Sequence, residues 1–381
     1  MIPRPQLLDR IEEVFRIHPV TALLGPRQCG KTTLARMLAA QQPSTFFDLE
    51  NVVDLRRLEI PLQTLDGLSG LVVLDEIQRR PDLFELLRVL ADRPGNSARF
   101  LILGSASPTL VRGVSESLAG RIGFVDMTGF TLQEVGSEKR DVLWNRGGFP
   151  RSFLANDDRD SNQWRENFVR TFLERDIPQL GIRVPSETLR RFWTMVAHYH
   201  GQVWNAAEFG RSLGASENTA RRYLDILAGA YMIRILPPWF ENLPKRQVKA
   251  PKIYIRDSGM LHTLLQVATH VDLQGHPKIG ASWEGFALEH VINFLETRDA
   301  YFWGSHGGAE LDLLVMTKGK RYGFEFKYSD APGSTRSMHA AIQDLGLEHL
   351  WVVYPGWQEY ELGERISAVP LSTFLPRIAV N

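Results

Sequence analysis

The sequence predicts an α/β protein that begins with a parallel-sheet domain, continues into a helical region and ends in a second α/β domain. Three observations support this prediction. Short apolar runs alternate with amphipathic segments from residue 1 to about 135. Long helical patterns rich in arginine and aromatic residues, such as WRENFVRTFLERD and TLRRFWTMVAHYH, cover residues 140 to 200. Mixed strand and helix patterns return over residues 281 to 381. The first pattern is typical of βαβ units, in which helices connect neighbouring parallel strands.

Length and composition indicate a folded protein of more than one domain. The chain has 381 residues, of which 44% are hydrophobic and 23% are charged, whereas single domains usually contain about 100 to 200 residues. Forty-four basic residues balance forty-four acidic ones, so a nucleic-acid contact requires a local basic patch. A single cysteine excludes an internal disulfide framework. We find no signal-peptide profile and no apolar run long enough to span a membrane, and we therefore expect a cytoplasmic protein.

Five apolar runs predict the strands of the first domain, residues 1–135. They are VTALLG (20–25), STFFDLE (44–50), LVVLDE (71–76), FLILGS (100–105) and GFVDMTGF (123–130). The segments between them have helical patterns. The five strands and their helices therefore predict one parallel-sheet domain.

A phosphate-binding loop follows the first strand. Its pattern is G-x-x-x-x-G-K-[ST], and its residues are Gly25, Pro26, Arg27, Gln28, Cys29, Gly30, Lys31, Thr32 and Thr33. Backbone N–H groups of such a loop surround phosphates, the lysine contacts the β- and γ-phosphates, and the threonine hydroxyl holds Mg²⁺. The motif lies between a predicted strand and a predicted helix, as its mechanism requires. We expect ATP and Mg²⁺ as cofactors.

Acidic and polar residues at the ends of later strands complete the predicted site. Asp75 and Glu76 follow an apolar strand, where Asp75 would bind Mg²⁺ and Glu76 would polarise the attacking water. Ser105 ends another buried strand. We place this strand between the one that precedes the phosphate loop and the one that ends in Asp75, and Ser105 would be a polar sensor. Arg121 precedes the fifth strand and would act as an arginine finger in a neighbouring subunit's site, or else form a surface salt bridge.

These motifs resemble those of the AAA+ ATPases, with GPRQCGKTT as Walker A, VVLDEIQ as Walker B and ILGSAS as sensor 1. Over nearly its full length the chain resembles bacterial and archaeal AAA ATPases with a C-terminal DUF4143 region. The phrases that support this likeness are SESLAGR, TLQEV, GGFP, FLERDI, YIRDSGM and WEGFALEHVI. The resemblance implies a P-loop NTPase of the AAA+ type and ATP hydrolysis.

A helical connector over residues 136–203 precedes a predicted winged helix-turn-helix over residues 204–275. Asn205 and Ser216 are expected to cap its two helices. The exposed face of the second helix, with Asn218, Thr219, Arg221 and Arg222, would enter a DNA major groove. A basic run of Lys245, Arg246, Lys249 and Lys252 would meet phosphates. The alternative is a module that only packs against protein.

Residues 276–381 are predicted to form a domain like that of the PD-(D/E)xK nucleases and restriction endonucleases. ELDLLV and YGFEFKYS flank the turn KGKR and predict a hairpin. Asp312 lies on one strand, and Glu325 and Lys327 share one face of the other. Glu289 or Glu284, on the preceding helix, would be the further acidic member. In that arrangement two carboxylates hold Mg²⁺ and the lysine positions the attacking water. Many proteins of this fold keep its shape for binding, and their nuclease activity differs.

Together these features predict a Mg²⁺-dependent AAA+ ATPase that acts on DNA as a motor or conformational switch. We expect a homo-oligomer, with a hexameric ring as one arrangement, and no membrane contact. Two alternatives stay open. One is a nucleotide-gated protein-interaction or signalling ATPase with no DNA role, and the other is an ATP-regulated, metal-dependent DNA nuclease.

Overall fold

The computed structural model describes residues 2–105, 117–240, 248–305 and 307–378, and the side chains of residues 105 and 375–378 are not described. The described chain forms two compact units, Met1–Phe130 with Gly229–Tyr231 and Thr131–Ala228 with Met232–Asn381. The finer division into four domains stays a prediction. In the described ranges no helix has both the length and the apolar character needed to cross a membrane.

The first unit is built on a five-stranded parallel sheet. Its strands are β1 (Val20–Gly25), β2 (Ser44–Asp48), β3 (Gly70–Asp75), β4 (Ala98–Ser105) and β5 (Ile122–Asp126), in the order β2-β3-β4-β1-β5. Its helices are α1 (Pro5–Ile17), α2 (Lys31–Ala39), α3 (Val52–Arg57), α4 (Pro61–Leu65) and α5 (Leu83–Ala91), with a 3₁₀ turn at Ile77–Arg79. The predicted parallel-sheet domain is confirmed, and β4 lies between β3 and β1.

Apolar side chains on both faces of this sheet account for the continuous apolar runs of its strands. Leu71 and Val73 pack on one face with residues of α1 and α2, such as Ile11 and Leu34. The alternating positions of β3 pack on the other face with residues of α5. A parallel sheet buried on both faces leaves only the strand ends available for polar groups. Two of the predicted site residues, Asp75 and Ser105, are the last residues of β3 and β4.

The second unit begins with helices and a small sheet. The helices are α6 (Leu132–Val135), α7 (Arg140–Arg146), α8 (Pro150–Phe153), α9 (Asp158–Thr171), α10 (Ile177–Gln179), α11 (Ser186–His198), α12 (Ala206–Leu213) and α13 (Glu217–Gly229). Short 3₁₀ and π segments occupy Ser137–Lys139 and Phe172–Asp176. Strands β6 (Gln202–Val203), β7 (Ile233–Leu236) and β8 (Lys252–Ile255) form an antiparallel sheet in the order β6-β8-β7.

The rest of the second unit is a six-stranded mixed sheet with helices. Its helices are α14 (Ser258–Leu264), α15 (His270–Gln274), α16 (Ile279–Leu295), α17 (Arg336–Leu345) and α18 (Leu371–Ile378). Its strands are β9 (Ala300–Gly304), β10 (Glu310–Thr317), β11 (Lys320–Phe326), β12 (His349–Tyr354), β13 (Tyr360–Gly363) and β14 (Ile366–Pro370). The sheet order is β13-β14-β12-β11-β10-β9. The predicted hairpin is β10–β11, which turns at Lys318 and Gly319, both with positive φ. The sequence did not predict β9, β13 and β14.

Candidate functional site

The phosphate loop lies at the carboxyl end of β1, and two glycines are required by its geometry. A Cβ on Gly25 would lie 2.1 Å from the carbonyl oxygen of Met127, so no larger residue fits there. Gly30 immediately precedes α2 and has a φ of 101°, a conformation that other residues rarely adopt. Gln28 also has a positive φ, of 62°. The loop backbone therefore requires glycine at these two positions on its way to the N-terminus of α2.

Lys31 is held under the loop by neutral acceptors. Its side chain is buried, with 6% of the residue exposed. The Nζ atom donates hydrogen bonds to the carbonyl oxygens of Gly25 at 3.0 Å and Pro26 at 2.8 Å. An ammonium group carries three N–H donors. Among the contacts that the structure describes, no carboxylate lies beside this ammonium group, so its charge is not neutralised by an acidic residue.

Thr32, in the first turn of α2, and Asp75, at the end of β3, bring two oxygen atoms together. The Thr32 hydroxyl donates to Asp75 Oδ2 at 2.7 Å. Burial raises the pKa of Asp75 above its usual 3.8, against the lowering effect of the Thr32 hydrogen bond. A buried carboxylate beside a hydroxyl suits a small divalent cation, because Mg²⁺ prefers oxygen ligands and its charge would offset the cost of burial. These two residues therefore fit Mg²⁺.

Glu76 has a left-handed backbone, with φ 56° and ψ 46°, directly after β3. Its N–H donates to Asp75 Oδ1 at 3.0 Å, which accounts for the local turn. Its carboxylate accepts a hydrogen bond from the Gln78 side chain and lies 3.8 Å from Nη2 of Arg27. The turn thus holds a second carboxylate next to Asp75, with the Gln78 side chain hydrogen-bonded to it and Arg27 of the phosphate loop 3.8 Å away.

Two acidic residues beside this site were not among the predicted site residues. Asp48 ends β2 and is aligned with Asp75 on β3, and its negative charge contributes to the raised pKa of Asp75. Glu50 accepts from Arg27 at 3.4 Å and from Arg79 at 2.9 Å. The sequence feature that could have indicated them is the acidic end of STFFDLE. The neighbour of this strand in the sheet could not be known from the sequence.

Three other predicted residues of the first unit occupy different surroundings. Ser105 ends β4 and is aligned with Gly25. Arg121 donates to Asp92 and begins the opposite, amino end of β5 from the phosphate loop, so it does not complete the site of its own chain. Cys29 is fully buried, with Sγ 3.9 Å from the Met127 carbonyl oxygen. Cys29 therefore contributes its backbone to the loop and its side chain to the core.

Comparison with known proteins supports the ATPase assignment. A family model described as an AAA domain matches residues 18–136, which contain the whole site described above. Models described as domains of unknown function, DUF8612 and DUF4143, match residues 137–270 and 279–374. The chain belongs to the AAA-domain ATPases with a C-terminal DUF4143 region.

Relatives of this ATPase extend over its full length. Proteins of Mycobacterium tuberculosis and Mycobacterium bovis, both named as uncharacterized, are 51% identical over 381 residues, covering 100% of this chain and 86% of each relative. A Walker-type ATPase of Pyrococcus abyssi is 16% identical, with a TM-score of 0.48 over 70% of this chain and 96% of its own. A signal transduction ATPase with numerous domains from Pyrococcus horikoshii is 11% identical, with a TM-score of 0.30 over 78% and 46%. These two scores are too low to support a conclusion.

The DUF4143 region of the ATPase brings predicted nuclease-like residues together, with an additional lysine among them. Asp312 on β10 and Glu325 on β11 are buried, and Lys327 Nζ lies 2.7 Å from Glu325 Oε2. Lys252 on β8 places Nζ 3.4 Å from Asp312 and 3.5 Å from Glu284, and it also pairs with Glu310. We call Glu284, Glu310, Asp312 and Glu325 the carboxylate cluster. Sequence reasoning assigned Lys252 to a phosphate-contacting run, which is wrong because only 3% of it is exposed.

The pKa values of Glu284 and Glu325 reflect burial and repulsion from the neighbouring Asp312. Burial and the Asp312 charge raise the pKa of Glu284 to about 7 and that of Glu325 to about 8. Burial opposes the charge of Lys252, but its acidic neighbours outweigh burial and raise its pKa well above the ordinary value. Lys252 contacts Glu284, Glu310 and Asp312, and one ammonium group cannot neutralise all three, so the Asp312 charge still contributes to the raised pKa of Glu284.

Glu289 does not join the carboxylate cluster. Its carboxylate accepts from Arg234 and, at 3.2 Å, from Arg256. Burial would raise the pKa of Glu289, but the two arginines lower it to about 2. Glu284 and Glu289 are five positions apart on α16 and face different directions, since a helix turns once in about 3.6 residues. The structure thus places Glu284, and not Glu289, beside Asp312.

The predicted DNA-contacting face is exposed in part. Asn205 caps α12 and Ser216 accepts from the N–H of Thr219 at the start of α13. Asn218, Arg221 and Arg222 are exposed on α13, and Ala220 and Leu224 are buried. Lys245 and Arg246 lie outside the described residues. The helix pair and its adjoining antiparallel strands are therefore present, and their DNA contacts stay a prediction.

Proposed function

We propose that the protein binds ATP with Mg²⁺ at the phosphate loop and hydrolyses it, with Glu76 polarising the attacking water. The observation that carries this proposal is the 2.7 Å contact between Thr32 and Asp75 beside Lys31, which donates hydrogen bonds to two loop carbonyl oxygens. Lys31 would bind the phosphates, and Thr32 and Asp75 would hold the cation. A bound Mg²⁺ would supply positive charge to the phosphate oxygens.

Two further residues complete the proposed ATPase. Ser105 would contact the phosphates from the carboxyl end of β4, which runs between the two motif strands. Arg121, which is exposed in part and paired with Asp92, would act on a neighbouring subunit of a homo-oligomer, of which a hexameric ring is one form. Cytoplasmic location also remains part of the proposal.

Substitution of Lys31 and Glu76 separates binding from hydrolysis. We expect Lys31→Ala to weaken ATP binding by about a hundredfold, because it removes a charged hydrogen-bond donor. Glu76→Gln should retain binding and lower turnover by about 10² to 10⁴. Equilibrium binding of a fluorescent ATP analogue and steady-state phosphate release measure the two effects. Normal turnover in both variants would refute the proposed site.

We infer further that the ATPase acts on DNA through α13. Its exposed Arg221 and Arg222 project from the second helix of a capped helix pair, an arrangement that places side chains in a DNA major groove in helix-turn-helix proteins. The same helix also exposes Glu217 and Asp225, so its face has mixed charge. Mixed charge also suits a protein partner, and a nucleotide-gated protein-interaction module is therefore the second candidate.

DNA binding at several salt concentrations distinguishes the two candidates. If Arg221 and Arg222 contact phosphates, each change to alanine should reduce the slope of log K against log salt by about 1. Arg336→Ala removes an exposed arginine from α17 of the same unit and provides the matched control. Duplex, single-stranded and branched DNA should be compared for stimulation of ATP turnover. An absence of both binding and stimulation would favour the protein-interaction candidate.

A further inference from the structure

The carboxylate cluster of the DUF4143 region has the residue types of a metal-dependent nuclease. The ammonium group of Lys252, however, lies among three of its carboxylates. Lys252 comes from β8, whereas Asp312 comes from β10 and Glu284 from α16. Nζ lies within 3.5 Å of both acids and also contacts Glu310. Only 4% of the Lys252 side chain is exposed, so its ammonium group is buried together with the acidic residues that it contacts.

The oxygens that a metal ion would need are already engaged. Asp312 Oδ1 faces Lys252, and Oδ2 accepts the N–H of Phe326 at 3.1 Å. Glu284 accepts from the Tyr254 hydroxyl at 2.7 Å, and Glu325 pairs with Lys327. Mg²⁺ requires several oxygens at about 2.0 to 2.1 Å. Within the described ranges no group of three or more His, Cys, Asp or Glu side chains, the carboxylate cluster included, is arranged to hold a metal ion. The residues therefore do not fit the metal that a nuclease-like fold implies.

We propose that Lys252 is the resident cation of the carboxylate cluster and excludes a divalent metal ion from it. A positive charge at this position repels an incoming cation and satisfies the carboxylates that would otherwise attract one. The DUF4143 region then performs no metal-dependent DNA cleavage at this cluster. Its acidic residues instead join β8, β10 and α16 through one buried ammonium group.

Binding of Mn²⁺ to the nucleotide-free, full-length protein tests this proposal, with free Mn²⁺ measured by electron paramagnetic resonance. The wild-type protein and Asp312→Asn should bind Mn²⁺ equally, because the cluster contributes no metal site. Lys252→Met should gain binding by at least about tenfold, since a neighbouring unit charge has been removed. That gain should disappear in Lys252→Met/Asp312→Asn. Lys252→Arg retains the charge and should match the wild-type protein.

Each outcome bears on the proposal. Wild-type binding that Asp312→Asn abolishes would show that a metal ion displaces Lys252, and the proposal would be overturned. It would also be overturned if Lys252→Met, folded by circular dichroism, gained no binding. If Lys252→Met does not fold, the wild-type and Asp312→Asn comparison decides alone. Any binding at the phosphate loop is common to all these variants and cancels. ATP turnover is a separate measurement, so failure here leaves the proposed ATPase site standing.

Discussion

The phosphate loop and the carboxylate cluster each contain a buried lysine, but the two lysines have different partners. Lys31 donates to two backbone carbonyl oxygens, whereas Lys252 lies among carboxylates. Neutral acceptors orient an ammonium group and leave its charge for a ligand. Carboxylate acceptors neutralise the charge within the protein. The same residue type therefore prepares one site for phosphates and closes the other to a metal ion.

The acidic residues of the two regions differ in the same way. Asp75 receives hydrogen bonds from a neutral hydroxyl and from the N–H of Glu76, so its negative charge can be matched by a bound cation. Asp312 receives an ammonium group and a backbone N–H. Burial alone does not distinguish these aspartates, since 4% of Asp75 and 7% of Asp312 are exposed. The two aspartates differ in the donor beside them. A neutral hydroxyl at Asp75 leaves the carboxylate charge for a bound cation, whereas the ammonium group at Asp312 neutralises it.

The largest expected contrast is in stability. Lys252→Met leaves buried carboxylates without their cation and should lower the free energy of unfolding by about 3 to 5 kcal/mol at pH 8. Lys31→Met removes hydrogen bonds to loop carbonyls and should cost about 1 kcal/mol. Urea denaturation, followed by circular dichroism, measures both variants. Equal losses would contradict the contrast between the two lysines.

The pH dependence of the same experiment sharpens the contrast. Burial raises the pKa of Glu284 from 4.5 to about 7, so this carboxyl group binds a proton on folding between those values. Protonation removes one of the charges that Lys252 balances. Lys252 itself lowers the pKa of Glu284, so in Lys252→Met this carboxyl group is protonated at a higher pH than in the wild-type protein, and the loss of stability should shrink as the pH falls toward about 7. The control Lys252→Met/Glu284→Gln should recover part of the stability at pH 8.

The residues predicted for the phosphate site lie close together in the structure because their contacts follow from local rules. A strand, a glycine-bounded loop and a helix place Lys31 and Thr32, and the carboxyl ends of parallel strands lie at one edge of the sheet. Asp75 therefore meets Thr32, although 43 positions separate them. Asp48 and Glu50 were not predicted, because the pairing of β2 with β3 is a tertiary contact. Neither strand's apolar pattern specifies its neighbour.

The carboxylate cluster was harder to predict because its partners come from distant segments. Lys252 and Asp312 are 60 positions apart, and the basic run around Lys252 suggested an exposed surface. The sequence could not show which of Glu284 and Glu289 lies beside Asp312, because α16 is apolar on most sides. Trp283, Phe286 and Val291 are all buried. A helix buried nearly all round has no polar face to show which glutamate points at a neighbouring strand.

A smaller effect is expected at the pair that distinguishes the phosphate site, Thr32 and Asp75. Burial raises the pKa of Asp75 and the Thr32 hydroxyl lowers it, so Thr32→Ala should raise it further. A bound cation requires the ionised carboxylate, and Thr32 is itself a proposed ligand. We therefore expect the Mg²⁺ concentration for half-maximal ATP turnover to rise about tenfold in Thr32→Ala, with a larger rise at acidic pH. Thr32→Ser retains the hydroxyl and should behave like the wild-type protein. A Mg²⁺ dependence unchanged in Thr32→Ala at every pH would mean that the cation is held by other groups, and the contrast between the carboxylates Asp75 and Asp312 would then fail.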